Sequence, residues 1–247
     1  RQNRMNAIYK REMLAYFTTP SGYVFSAIFF ALSGILFSIS TFGMQSASTR
    51  IYFITMLVSF CVLIPLLTMK LLSEERKSKT EQIILTSPVS LMGMISAKFF
   101  AAYTMFAGTL ILSCALNITA LYKLTQSQKD VIDKLNLPTV FGSIIGILLI
   151  GGVFIALGLF LSALTETQIV AAVSSIGVFV LIFLFSLLPG YIGNGVIRTV
   201  IKWFSVFDRY YPFTTGVFDI TAIVYYLSLT VVFLFLTIRI YEKRRWA

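Results

Sequence analysis

Six stretches of this chain, residues 23–44, 51–72, 99–121, 139–161, 169–188 and 220–240, are apolar nearly throughout and almost free of charge. Each has the roughly 20 residues that a helix needs to cross the hydrocarbon core of a bilayer. The chain therefore reads as an all-α membrane protein with six transmembrane helices. Charged residues make up 12% of it, against about 25% in a soluble domain. Little of the 247 residues is left for a separate soluble unit, so a single membrane domain over 1–247 is expected. The first stretch is longer than the apolar core of about 7–15 residues in a signal peptide. Ser46-Ala47-Ser48 reads as a polar loop rather than a cleavage site, and Arg1 points to a trimmed or processed start.

The net charge of +10 is not a nucleic-acid footprint, because of where the charges sit. Arg1, Arg4, Lys10 and Arg11 precede the first span. Lys70, Arg76, Lys77, Lys79 and Lys98 flank the connection between spans two and three. Arg239, Lys243, Arg244 and Arg245 close the chain. In a six-span chain these segments share one side, and the positive-inside rule makes that side, with both termini, cytoplasmic. The basic excess sets topology and lipid contact.

The connecting segments carry the remaining detail. Met5, Tyr9, Met13 and Tyr16 recur at helical spacing before the break Thr19-Pro20-Ser21-Gly22, which predicts an N-terminal interfacial amphipathic helix over 1–22. Segment 73–98 is the longest cytoplasmic connection. Ser78 and Glu81 have capping-box spacing, and Ser87-Pro88 suits the start of another helix. A very short helix over 81–85 follows, with apolar Ile83, Ile84 and Leu85 in an otherwise charged loop. Lipid or a docked soluble partner would cover them equally well. Gly142 and Gly146 form a GxxxG in span four, suited to close packing within the chain or between subunits. Span five carries Ala171, Ala172, Ser174, Ser175 and Gly177, also small. In 189–219, glycines break the helix, and Val196, Val200, Phe204 and Phe207 then recur at helical spacing, with Arg198 and Lys202 off that face. This predicts a re-entrant or surface-lying outer element. Asp219 suits the N-terminus of the last helix better than a substrate site. Cys61 and Cys114, inside spans, are small core residues.

Much chemistry is missing. The chain has no histidine, which excludes His-based triads, H-E-x-x-H zinc sites and His-ligated haem or copper. No G-x-x-x-x-G-K-[ST] occurs, so there is no Walker-type nucleotide site, and no metal ligand set stands out. The spans carry no ionisable residues at depth, which a self-powered proton- or ion-coupled transporter needs. Active transport would draw its energy from another polypeptide.

Four stretches resemble a known family when taken in order: Lys10-Arg11-Glu12 with Tyr16-Phe17 and Pro20; Pro65-Leu66-Leu67-Thr68-Met69 running into Glu74-Glu75-Arg76; Thr80-Glu81 through Leu85-Thr86-Ser87-Pro88-Val89-Ser90 with Lys98; and 205–219 joining Tyr226-Leu227-Ser228. Over nearly its full length the chain resembles the permease subunit of ABC-2-type ATP-binding-cassette transporters, nearest to the gliding-motility and nitrous-oxide-reductase-maturation branch. The resemblance implies a non-catalytic subunit of an exporter in the bacterial cytoplasmic (inner) membrane. It would pair with a second permease copy or a related permease, with separate ABC ATPase subunits that hold ATP and Mg, and with accessory membrane or extracytoplasmic subunits. No cofactor sits in this chain.

By the same resemblance Glu81, Gln82, Ile83, Ile84, Leu85, Thr86, Ser87 and Pro88 form the coupling helix that enters a cleft on the ATPase, and Glu74, Glu75 and Arg76 lie against the same partner. That assignment tips the cover of Ile83, Ile84 and Leu85 toward docking. In related exporters spans two and five line the subunit interface and the translocation path, which points to Phe53, Met56, Phe60, Ser174 and Phe179. The competing readings are a membrane anchor or assembly factor for an ATPase complex that moves no solute, and an intramembrane enzyme.

Overall fold

The computed structural model describes residues 2–43, 49–77, 90–127, 137–191 and 195–246. Among these the chain is built from helices and turns, with no strand. The helices are α1 (Gln2–Thr18), α2 (Pro20–Ser38), α3 (Thr49–Thr68), α4 (Ser73–Lys77), α5 (Leu91–Ser127), α6 (Leu137–Leu164), α7 (Gln168–Leu187), α8 (Gly195–Phe204) and α9 (Ile220–Trp246). A π-helical turn, Ile39–Gly43, closes α2, and 3-10 turns at Leu188–Gly190 and Asp208–Thr215 flank α8. Six helical segments are long and apolar enough to cross a membrane: Pro20–Thr41, Thr49–Lys77, Leu91–Lys123, Leu137–Leu164, Gln168–Gly190 and Ile220–Arg245. They coincide with the six stretches read from the sequence.

α6 is the hub, packed by α3, α5, α7, α9 and the Asp208–Thr215 turn. Residues 150–159 are buried on every side of it. Its glycines let neighbours approach. A Cβ on Gly142 would lie 2.6 Å from the Phe213 carbonyl oxygen, and one on Gly146 would lie 2.8 Å from the Tyr210 ring. The GxxxG thus seats the 208–215 turn of the same chain. Phe29, Phe60 and Phe106 bring α2, α3 and α5 together, with Phe60 and Phe106 edge to face at 5.2 Å. Such pairs add about 0.5–1.5 kcal/mol beyond the burial of their area. By contrast α7 and α9 bury only a narrow face. Val173, Leu181, Val224, Leu227 and Val231 point outward, as lipid-facing side chains do.

α1 and α2 meet in a tight elbow. Pro20 opens α2, where its missing N–H costs nothing. Gly22 then lies so close under α1 that a Cβ there would sit 2.0 Å from the Tyr16 carbonyl oxygen. The break expected at 19–22 is where the chain turns. The inner face of α1, from Met5 through Ile8, Tyr9, Glu12, Met13 and Tyr16, is partly buried against α5 and α2, while Leu14 and Phe17 are exposed. α5 begins at Leu91 under a Ser90 cap, whose Oγ accepts from Gly93 N at 3.3 Å. The Ser87-Pro88 start expected from the sequence lies outside the described residues.

The bundle has two chemically different ends. At the α1 end, α1, α4, the start of α5, the α6–α7 link and the tail of α9 converge: Arg76 pairs with Glu166, and Arg244 donates to the Ala163 carbonyl. At the opposite end Arg50 stacks over Tyr211 at 4.2 Å, and Tyr210 donates to the Ser143 carbonyl. Here α8 lies with Val196, Trp203 and Phe204 exposed. Phe207 does not continue that face. It lies past the helix end and packs on Phe154 and Phe183. Asp219 caps α9, its Oδ1 accepting from Thr221 N at 2.9 Å.

Candidate functional site

Lys98 is the fulcrum of the α1 end. It stands about two turns into α5, inside an apolar membrane-length window, and is only 2% exposed. The sequence placed Lys98 at the end of the cytoplasmic connection 73–98, one residue before span three; the structure extends that helix back to Leu91 and buries the lysine. It is tolerated because its ammonium has three protons and three acceptors: Glu75 Oε1 at 2.8 Å, Leu71 O at 2.9 Å and Glu12 Oε1 at 3.1 Å. Arg11 reaches the same carboxylates, 2.9 Å from Glu12 and 3.6 Å from Glu75. Two cations and two anions compensate within one junction, as buried charges must.

Three separate segments supply the parts. Glu12 sits between Ile8 and Tyr16 on the buried stripe of α1, one helical turn from each. α1 is held along α5 by Tyr9 bonded to Thr104 at 3.0 Å, and by Met5 and Met13 sulfurs accepting from Ser96 and Thr104. Tyr16 donates to the Leu67 carbonyl. Glu75 belongs to α4, set by the tight turn after α3. Ser162 of α6 pins that turn by accepting from Leu72 N at 3.3 Å and Ser73 N at 3.1 Å. On the far side of α4, Arg76 bonds Glu166 at 2.8 Å and the Leu164 carbonyl at 3.3 Å. α4 is thereby fastened to α1, α5, α6 and the start of α7 at once.

The electrostatics follow from this geometry. Burial pushes the Glu12 carboxyl upward, but the Lys98 charge and hydrogen bonds from Arg11 and Lys98 outweigh it, so Glu12 stays ionised below the ordinary carboxylate range. Burial raises the nearby Tyr16 phenol, which stays neutral. No nucleophile–base pair occurs in the junction, and among the described residues no three His, Cys, Asp or Glu side chains gather as a metal site. What the arrangement can do is transmit displacement. A shift of α4 must carry α1 and α5 with it, or else strip a buried lysine of its partners.

A second polar junction lies deeper, toward the opposite end. Ser33 of α2 bonds Tyr52 of α3 at 2.7 Å and also Ser113 of α5. Asn117 donates to Ser33 at 2.9 Å and to Tyr52 at 3.0 Å. It is neutral and largely buried, with Asn117 its partly exposed member.

Among the residues singled out by the sequence, Glu75 and Arg76 turn inward to these contacts, and Glu74 borders a small cavity of about 120 Å³ between α1 and the end of α3. Glu81, Gln82, Ile83, Ile84, Leu85, Thr86, Ser87 and Pro88, with the 81–85 helix, lie outside the described residues. Phe53, Met56, Phe60 and Phe179 are buried among the chain's own helices, Phe179 stacked on Phe154 at 4.6 Å. Ser174 is partly exposed and donates to the Ala171 carbonyl. The junction of Glu12 with Lys98 was not singled out from composition or spacing. Its available signal was a lone lysine followed directly by Phe99, Phe100, Ala101 and Ala102, a position that demands a carboxylate from elsewhere.

The sequence profile of the ABC-2 family transporter protein matches residues 6–246, nearly the whole chain. No curated protein matches it.

Proposed function

The chain belongs to the ABC-2 family of transporter proteins, and from that premise we propose that it is the transmembrane permease subunit of an ATP-binding-cassette exporter. ATP hydrolysis takes place on a separate ATPase subunit, which holds the ATP and Mg. The chain supplies the membrane path together with a second permease copy or a related permease. In this reading the α1 end faces the cytoplasm of a bacterial cell, in keeping with its basic character, and α1 lies along the inner surface. Accessory membrane or extracytoplasmic subunits fit the same reading, as does a place in the gliding-motility and nitrous-oxide-reductase-maturation branch.

The observation that carries the reading is the ionic junction around Lys98. Glu75 lies on α4, directly before segment 78–89, which holds the proposed coupling residues Glu81 to Pro88. Movement of that segment by the ATPase is relayed through α4. The Glu75–Lys98 and Glu12–Lys98 contacts pass it to α5 and α1, and the Arg76–Glu166 pair passes it to the α6–α7 link. Glu74, Glu75 and Arg76 act as the stem of the coupling element. The switch is a rigid-body one between two packed arrangements. Phe53, Met56, Phe60, Ser174 and Phe179 lie on the α3 and α7 helices that this movement would separate, and they remain the proposed lining of the path once the helices part.

Affinity purification in mild detergent, followed by an ATPase assay on the eluate, tests this. The intact chain should bring down an ATPase. Ile84→Asp should lose it while inserting normally in the membrane. Lys98→Met should retain the ATPase but lose its response to the permease. Normal co-purification by Ile84→Asp would overturn the coupling assignment.

A further inference from the structure

The C-terminal end of α6 is closed from outside its own helix. A helix leaves its last four carbonyls without a partner in the helix, and in α6 these belong to Leu161, Ser162, Ala163 and Leu164. Thr165 shares one hydroxyl proton between the Leu161 and Ser162 carbonyls, at 3.2 and 3.4 Å. The other two carbonyls are met by guanidinium groups from distant parts of the chain. Arg244 of α9 donates to Ala163 O at 2.6 Å, and Arg76 of α4 donates to Leu164 O at 3.3 Å while holding Glu166 at 2.8 Å. Two cations thus stand at the negative end of the hub helix. Arg244 is itself braced, its guanidinium 5.5 Å from the ring of buried Tyr241. Deeper in the bundle Phe160 packs on Phe233 and Thr230 lies beside Gly152, so α9 follows α6 inward. At the opposite end Tyr225 and Tyr226 donate to the Phe204 and Val206 carbonyls at 2.9 and 2.7 Å, just before the turn seated on Gly142 and Gly146. α6 and α9 are therefore fastened together at both ends.

We propose that Arg244 is a positioning residue for coupling, fixing the end of α6 to α9 so that displacement arriving through Arg76 moves the two helices as one body. The role rests on the permease reading above. Its physical basis is the difference between a free and a clamped helix end. Helix ends fray, and a frayed last turn absorbs a pull by unwinding while the rest of the helix stays in place. With Ala163 held by Arg244, the last turn keeps its hydrogen bonds. A pull on Leu164 and Glu166 then reaches residues 150–159, where α6 is buried on every side. Because Tyr225 and Tyr226 tie α9 to the segment before the Asp208–Thr215 turn, the same movement is delivered to the opposite end of the bundle. Arg76 is the moving contact and Arg244 the anchor. Arg244 acts through α6, not by touching the ATPase.

The test compares the unmodified chain with Arg244→Gln and Arg244→Lys, each in complex with the ATPase that the unmodified chain brings down. Arg244→Gln should bind that ATPase as tightly and leave the KM for ATP unchanged. The increase in kcat that the permease confers should fall about tenfold, the size set by one hydrogen bond from a charged group. Arg244→Lys keeps a charged donor for the carbonyl and should recover most of the loss. A second measurement uses the chain alone in detergent. An endoprotease specific for glutamate should cut after Glu166 about tenfold faster in Arg244→Gln, because the last turn of α6 opens locally. An undiminished kcat response in Arg244→Gln overturns the proposal, and so does unchanged cleavage after Glu166. An equal loss in Arg244→Lys would assign the effect to packing on Tyr241 rather than to the carbonyl contact, and overturns it too. An ATPase indifferent to the unmodified chain would instead overturn the permease reading itself, and cleavage after Glu166 would still read the clamp on its own.

Discussion

The two polar junctions of this bundle share one helix, α5, and solve opposite problems. Toward the opposite end, Ser33, Tyr52, Ser113 and Asn117 tie α2, α3 and α5 with neutral hydrogen bonds. At the α1 end, Lys98, Glu12, Glu75 and Arg11 tie α1, α4 and α5 with charges. A neutral network can sit in hydrocarbon and lock helices permanently, because no part of it is costly once bonded. A charged one is stable only while every partner is present, since an uncompensated buried ion carries a large desolvation penalty. One junction therefore behaves as a fixed pin and the other as an all-or-none catch. The catch is the one beside segment 78–89.

The comparison breaks most visibly at Lys98. Replacing it by Leu takes the buried ammonium away from two partly buried carboxylates, and a broken buried pair costs about 3–5 kcal/mol. The melting temperature in detergent should fall sharply, and adding Glu75→Gln to Lys98→Leu should restore part of the loss. Additive losses in that double mutant would show that Glu75 and Lys98 do not act as a pair.

Acid should separate the two junctions next. Glu12 has its carboxyl depressed in the folded chain, so its contribution is complete above the ordinary carboxylate pKa and is lost as pH falls through the depressed value. Proteolytic protection of the α1 end should hold from neutral to about pH 5 and fall only below about pH 4. The Ser33–Tyr52–Asn117 contacts, with no titrating member in that range, should be indifferent. Protection lost near neutrality would mean that Glu12 is not held by Lys98.

Tyr52→Phe sharpens the other side of the contrast. It removes the hydroxyl shared by Ser33 and Asn117 while leaving them each other, for an expected loss of about 0.6–1.5 kcal/mol. That loss should be insensitive to salt. The smallest effect belongs to Arg11→Ala. The Arg11 side chain is 63% exposed, and exposed ion pairs contribute about 0–1 kcal/mol, so stability at physiological salt should barely change. A loss as large as that of Lys98→Leu would make Arg11, not Lys98, the centre of the junction.

Residue spacing made the scaffold legible and left the junctions hidden, for a physical reason. Apolarity over a membrane-spanning length is a local property, so all six spans, the break at Thr19-Pro20 and the cap at Asp219 could be read off short windows. The GxxxG could be recognised but not assigned, because its partner, the Asp208–Thr215 turn, arrives from far along the chain. The Glu12–Lys98 contact joins residues 86 positions apart, and nothing in either window names the other. Ser33, Tyr52, Ser113 and Asn117 look like ordinary helix-packing residues one at a time. The resemblance to ABC-2 permeases did include Glu12, Glu75 and Lys98 among its matching stretches, yet it gave no hint that they meet.

The elbow at Gly22 has a mechanical reach of its own. Because no side chain larger than hydrogen fits beneath the Tyr16 carbonyl, α1 and α2 stand at their closest approach there, and any larger residue at 22 would wedge the two arms apart. Glu12 rides on the first arm, and Ser33 rides on the second. One glycine thereby fixes the angle between the arm that carries the charged catch and the arm that carries the neutral pin.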